Sequence, residues 1–443
     1  MTVRLGAGAG FSADRIDPAA ALVAGADLDF LVFEVLGERT IAAANDRKLS
    51  GRGVGHDPLL ADRLAATLPT ALERHTRIVT NGGAADPLAA GRLADEIGGG
   101  RARVAVITGD DVLQAVREAD PVVWENGLPL SEQPGELVSA NAYVGAGPVR
   151  DALDAGADVV IGGRLADPSL YLGAIAHAHG WALDGDPELL GRGTVVGHLL
   201  ECAGQLTGGY YADPVTKPVP RLAELGFPFA DVAADGSAVL GKLEESGGLL
   251  TVRTATEQLL YEVGDPAAYL TPDVTADFSQ VRLEQVGPDR VAVSGASGRP
   301  RPDALKVTLG FRGSWRGEGQ ITYAGPRALA RAELARDIVV ERLAAVHAID
   351  AGSVTVELIG TGSAFRGLVP PQEALEVRLR VTGSVATERE ARAVGWEVES
   401  LYTNGPAGGG GARTSTTEVL AIRSCLLPRE LVHPTVTMVG GAR

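Results

Sequence analysis

Cysteine is nearly missing from this 443-residue chain, which has only Cys202 and Cys425. At most one bridge can form, so a disulfide scaffold is excluded and free thiols in a reducing compartment are expected. No run of about 18 apolar residues occurs, so no membrane-spanning helix is expected. The opening MTVRLGAGAGF has no basic stretch leading into a long apolar core, and no signal peptide is expected from it. Positive charge is in deficit, with 40 Lys+Arg against 56 Asp+Glu and a net charge of -16 at pH 7. That balance disfavours nucleic acid and anionic membranes as partners. It leaves room for an anionic substrate, because local arginines can still build a positive pocket. The expected location is cytoplasmic. The phosphate loop GxxxxGK[ST], the zinc motif HExxH and CxxC pairs are absent as well.

What is present is ordinary for a globular chain: 45% hydrophobic and 22% charged residues. Glycine, at 58 residues, follows no collagen-like period. It sits where apolar segments end. Val3 to Ala7, Leu28 to Leu36 (with Glu34 and Glu38 around its end), Arg77 to Thr80, Arg103 to Thr108 and Ala157 to Ile161 read as strands. Pro18 to Gly25, Ile41 to Leu49, Pro58 to Arg74, Pro87 to Ile97, Asn141 to Ala155 and Ser169 to His179 read as the helices between them. Strands buried on both faces and alternating with helices predict an α/β fold. The first domain is expected over 1–215, with a mainly parallel sheet. Beyond it the pattern shortens. Leu249 to Ala255 and Glu397 to Tyr402 read as extended segments, and Pro326 to Val346 as an amphipathic helix. A second, α+β domain is expected over 216–443, with an insertion in it left open.

The densest chemistry lies in GTVVGHLLECAGQLTGGYY, residues 193–211. As a helix over Thr194–Leu206, it aligns Val195, Leu199, Ala203 and Leu206 in one apolar stripe. His198, Glu201 and Cys202 fall on an adjacent arc, where residues three and four apart meet. Imidazole and carboxylate can exchange protons, and a thiolate can attack a carbonyl if something stabilises it. The plainer alternative is a satisfied buried histidine beside a small core cysteine. Gly208 and Gly209 then break the helix, and Tyr210 follows as a residue able to close over a ligand.

Four loops after predicted strands offer further candidates. Gly8 and Gly10 can expose backbone N–H groups to an anion. Asn81, Gly82 and Gly83 form a turn in which Asn81 can orient a carbonyl. Gly109, Asp110 and Asp111 offer carboxylates for proton transfer or for a divalent cation. Gly163, Arg164 and Asp167 offer a guanidinium that grips a carboxylate with two donors. The carboxyl ends of parallel strands share one side of a sheet, where ligands commonly bind, so these loops are expected to converge. Helix capping by aspartate is the ordinary alternative. Arg299, Arg301 and Lys306 are further cationic candidates. No spacing fixes a metal site, and a divalent metal is left open.

Several long segments resemble the acyclic terpene utilisation AtuA family: LGAGAGFSADR at the start, IVTNGGAADP at 78–87, VITGDD at 106–111, ANAYVGAGPVRDALDAGADVVIGGRLADPSL at 140–170 and ITYAGP at 321–326. GHLLECAGQLTGGYYADP at 197–214 and TEQLLYEVGDPAAYLTPDV at 256–274 extend the resemblance over most of the chain. It implies a cytoplasmic bacterial protein in the catabolism of branched terpenoid acids through acyl-CoA intermediates. No catalytic residues are carried over with it.

The combined expectation is a metabolic enzyme acting on a small carboxylate or a branched acyl-CoA, with hydratase- or lyase-like chemistry. His198 or Glu201 moves the proton, Asn81 and Arg164 orient an oxyanion or carboxylate, and Asp110 or Asp111 adds an acid–base or cation-binding group. CoA enters as part of the substrate, and no separate cofactor is established. An acyl transferase or thioester hydrolase using Cys202 is the second expectation. A noncatalytic subunit of a metabolic complex is the third. A homo-oligomer is expected.

Overall fold

The computed structural model describes residues 2–370 and 372–440. It divides into two compact units. The larger contains the chain up to Gln133, Val138–Gly310 and the stretch from Ile422 on, and the smaller contains Pro134–Leu137 and Phe311–Ala421.

The larger unit is built on an α/β run: β1 (Thr2–Ala9), α1 (Asp17–Gly25), β2 (Phe30–Phe33), α2 (Glu38–Leu49), α3 (Leu60–Arg74), β3 (Arg77–Thr80), α4 (Pro87–Ile97), β4 (Val104–Thr108), α5 (Leu113–Ala119), β5 (Glu136–Ala142), α6 (Gly147–Asp154), β6 (Val159–Gly162), α7 (Asp167–His179) and α8 (Pro187–Glu201). Strands β1, β2, β3, β6 and β4 lie side by side and parallel, in that order. Leu5, Val32, Ile78, Val106 and Val160 are fully buried. Helices cover both faces, which is why these short strands are apolar at every position rather than alternating.

Antiparallel strands widen this parallel centre on both sides. Pro228–Ala233 pairs with β1, followed outward by Ala238–Lys242, Arg290–Ser294 and Arg282–Gly287, while Thr435–Val439 pairs with β4. The fold is α/β, as the alternation predicts. The ten-stranded sheet as a whole nevertheless has more antiparallel pairings than parallel ones among the described residues.

Four local expectations are corrected. Asn141 to Ala155 is not one helix: β5 runs to Ala142, and α6 begins at Gly147 with Pro148 in its first turn, a position proline tolerates. Leu249 to Ala255 looks extended because of its β-branched residues. A capping box between Thr251 and Thr254 instead starts the helix Val252–Leu260. A second capping box, Thr387 with Glu390, starts the helix Glu388–Glu399, which absorbs the first half of the strand expected at Glu397 to Tyr402, and the short helix Leu401–Asn404 takes its end. Finally, α8 begins earlier than Thr194, with Asp186 capping its N-terminus, and stops at Glu201, where Cys202 leads into a 3-10 turn, Ala203–Gln205.

The smaller unit has its own core. Helices Ala328–His347 and Glu388–Glu399 pack Val339, Leu343, Val394 and Val398 against Ile321, Tyr323, Leu379 and Val381 of its sheet.

Candidate functional site

A chamber of about 740 Å3 opens at the carboxyl ends of β1, β2 and β6. All its lining residues belong to the larger unit. Gly10 and Phe11 follow β1, Glu34 to Thr40 follow β2, and Arg164 and Asp167 follow β6. The end of α8 contributes Glu201 and Cys202. Tyr143, Tyr261, Tyr269 and Lys306 close the remaining wall. This is where an open α/β sheet holds ligands, because the strand-to-helix turns converge there.

The last turn of α8 points its carboxyl group into the chamber. Three residues apart, His198 and Glu201 meet through Nδ1 and Oε1 at 2.9 Å, and His198 Nε2 lies 3.2 Å from the Leu259 carbonyl. His198 is buried behind Glu201, with its ring packed against Tyr269 and Phe278. Glu201 Oε2 is buried and has no hydrogen-bond partner among the described residues. Burial pushes the Glu201 carboxyl up against the pull of His198, leaving it at about 7. Burial pushes the His198 imidazole down, but the Glu201 charge and hydrogen bond outweigh it and raise the ring above its ordinary value. The Nδ1–Oε1 contact lets the two groups share a proton.

Glu34 stands directly after β2. Its Oε1 accepts from the Leu36 N–H at 2.8 Å and from Asn81 Nδ2 at 2.9 Å. Asn81 Oδ1 in turn accepts from the Val35 N–H at 2.8 Å. Burial, reinforced by the charge of Asp167, pushes the Glu34 carboxyl well above the usual range.

A cationic cluster lines another part of the wall. The Arg164 guanidinium lies 3.9 Å from the centre of the Tyr143 ring, and Lys306 Nζ lies 5.0 Å from it. Arg164 Nη1 donates to Asp167 Oδ1 at 2.6 Å, and its buried Nε has no partner. Glu38 Oε1 accepts from Lys306 at 2.7 Å and from the Tyr143 hydroxyl at 2.6 Å. Burial raises the Glu38 carboxyl, but these two donors outweigh it and hold it at about 2.

Of the residues singled out in the sequence, Gly10, Arg164, Asp167, Glu201, Cys202 and Lys306 line the chamber. His198 and Asn81 stand one layer behind, each bonded to a lining glutamate. Asp110 does not line it. Its Oδ2 accepts from the Arg164 N–H and from Asn141, both at 2.9 Å, so it fixes the turn that carries Arg164. Asp111 is exposed and bonds the Leu113 N–H at the start of α5.

The remaining glycines serve close packing and turns. A Cβ on Gly10 would collide with the Glu201 carbonyl and with Cys202, and one on Gly163 with Asp110. Gly8 packs on Phe33, Gly83 on Gly162, and Gly109 on the His433 carbonyl. The Gly82 N–H is bonded to Thr80. Gly208 has positive φ and Gly209 packs on the Gly204 carbonyl, while Tyr210 is exposed, outside the chamber and against Tyr261. Burial raises the Cys202 thiol well above its ordinary value, and His198 has both ring nitrogens occupied elsewhere.

Sequence reading gave no role to Glu34, Glu38, Tyr143 or Tyr269. Glu34 and Glu38 carry the same signal as the chosen loops, being polar residues just past an apolar strand. Tyr143 and Tyr269 sit outside any such turn and gave none. Among the described residues no group of three or more His, Cys, Asp or Glu side chains is placed to hold a metal ion. No helix among them is long and apolar enough to cross a membrane.

A family model described as acyclic terpene utilisation family protein AtuA matches residues 3–438. No curated protein matches the chain, and neither does any solved structure.

Proposed function

Because the chain belongs to the acyclic terpene utilisation AtuA family, which implies a role in using acyclic terpenes, we propose that it is an enzyme adding water to, or eliminating it from, a branched carboxylate or acyl thioester. The observation that carries this reading is Glu201. Its Oε1 is held by His198, its Oε2 is free, and it lines a chamber of about 740 Å3. A carboxyl group near pH 7 with one oxygen anchored and one available suits removal of a proton next to a carbonyl. His198 orients it through Oε1 and leaves Oε2 to take the proton. Arg164 and Lys306 supply positive charge for a carboxylate or a developing enolate oxygen. CoA, where present, belongs to the substrate.

A nucleophilic role for Cys202, as in acyl transfer, has less support. The thiolate is disfavoured by burial, and the neighbouring imidazole is committed to Glu201 and Leu259. The test is incubation with pools of acyl thioesters and branched carboxylates, read by mass spectrometry. One compound should disappear as another, differing by one water, accumulates. Glu201→Gln should lower that rate by about 10²- to 10⁴-fold, and His198→Ala should also impair it. Full turnover by both variants would remove the proposed roles. A product of acyl transfer to Cys202 would favour the second reading.

A further inference from the structure

Glu34 and Glu201 are built alike. Each lines the chamber, each is buried, and each uses Oε1 for its bonds to the protein. Neither Oε2 has a hydrogen-bond partner among the described residues. Asp167 lies close enough for its charge to act on both carboxyls, and the charges of both act on Cys202, which also lines the chamber. The supports differ. Glu201 rests on an imidazole that can share a proton. Glu34 rests on two donors, the Leu36 N–H and Asn81, which place both bonds on Oε1 and leave Oε2 as the oxygen to carry a proton. Burial and the Asp167 charge favour that protonated form, against the opposing charge of Arg164.

Resting on the hydration–elimination reading above, we infer that Glu34 is the second catalytic group of this chamber, the acid that hands a proton to the departing oxygen while Glu201 acts as the base. In the elimination direction, Glu201 Oε2 takes the proton from the carbon next to the carbonyl. The electron pair of that C–H bond becomes the new C=C bond. The C–O bond at the next carbon breaks with its pair, and the proton on Glu34 joins the leaving hydroxyl to give water. Glu201 ends protonated and Glu34 ionised, and one proton passed back through solvent restores the site. Hydration runs the same steps in reverse. Two carboxyls held in opposite protonation states by different surroundings are the usual way for one site to supply an acid and a base together.

The decisive variant is Glu34→Gln. Its amide oxygen can accept the same two bonds from Leu36 and Asn81, so a purely structural Glu34 predicts unchanged turnover. The probes are a branched 3-hydroxyacyl thioester and its 3-fluoro counterpart, since fluoride departs without needing a proton. The expected result for Glu34→Gln is a loss of about 10²-fold or more on the hydroxyl compound, with near wild-type elimination of fluoride. Glu201→Gln should fail on both. Wild-type rates for Glu34→Gln on the hydroxyl compound overturn the inference, and so does an equal loss on both compounds. Infrared spectra of the ligand-free protein give a readout that needs no substrate. Measured well above pH 7, where Glu201 is ionised, a protonated-carboxyl component that wild type and Glu201→Gln share and Glu34→Gln lacks is expected, and identical bands in wild type and Glu34→Gln overturn the assignment. If the wild type acts on neither probe, the parent reading falls, while the infrared band still decides whether Glu34 holds a proton.

Discussion

Glu34, Glu38 and Glu201 are one side chain in three surroundings. Glu38 has two strong donors and is held at about 2, whereas Glu201 faces an imidazole and rests at about 7. The difference has consequences of opposite sign. A carboxyl lowered in the folded state stabilises fully above its ordinary value of 4.5 and loses that contribution as pH falls toward 2. Glu38→Gln should therefore be less stable than wild type near neutrality, and the gap measured by urea unfolding should close between about pH 4.5 and pH 2. For Glu201 the readout is activity. A base must be ionised, so elimination should rise with pH through about 7 in the wild type, and that limb should vanish from the pH–rate profile of Glu201→Gln. Asn81 acts behind the wall, with its side chain fully used by Val35 and Glu34. Asn81→Ala strands the buried Val35 N–H, which costs about 1–3 kcal/mol in a denaturant melt, and frees the Glu34 carboxyl to turn.

Helix α8 shows what an element adds. Its apolar stripe was legible as Val195 and Leu199, continued past the helix end by Ala203 and Leu206, all of them solvent-free. Its polar arc read either as catalytic or as a satisfied buried histidine, and His198 is nearly as buried as the stripe. The reason is a second layer on that side: Ser297–Arg299, Thr275–Asp277 and Tyr269–Leu270 form a small sheet whose strands pack on α8. Gly191 permits the approach, since a Cβ there would collide with the Ser297 carbonyl. Gly191→Ala should push that sheet outward and cost about 1–3 kcal/mol, read as a lowered melting temperature. Tyr269 belongs to the same sheet and lines the chamber, so substrate affinity should weaken along with stability. No periodicity in 193–211 announces this layer, because its strands, from Tyr269 to Arg299, lie far downstream in the chain.

At the scale of the molecule, the parallel strands are the best-shielded part of the larger unit. Ile78, Val79, Val160 and Ile161 are fully buried, whereas Arg282–Gly287 is an edge strand with mostly exposed side chains. Amide hydrogen exchange should be slowest in Arg77–Thr80 and Val159–Gly162 and fast in Arg282–Gly287. Slow exchange along that edge, or rapid exchange in the parallel centre, would contradict the sheet order. The net charge of -16 sets the long-range field, and inside the chamber Arg164 and Lys306 are each paired with a carboxylate, Asp167 and Glu38. The second pair joins segments far apart in the chain, which a charge count does not show.

The amino-acid order by itself determined the α/β alternation, the strands β1 to β4 and β6, the turn residues after them, and the pairing of His198 with Glu201. Each of these rests on spacing within one helix or strand, which local geometry fixes. The tertiary structure alone decided which turn residues share the chamber. Asp110 and Asn81 are polar residues after strands just as Glu34 and Arg164 are, but the first two bond their neighbours and the last two line the cavity. It also decided the chemistry of each carboxyl, because burial and the partner across the gap, rather than the residue type, set where the proton rests.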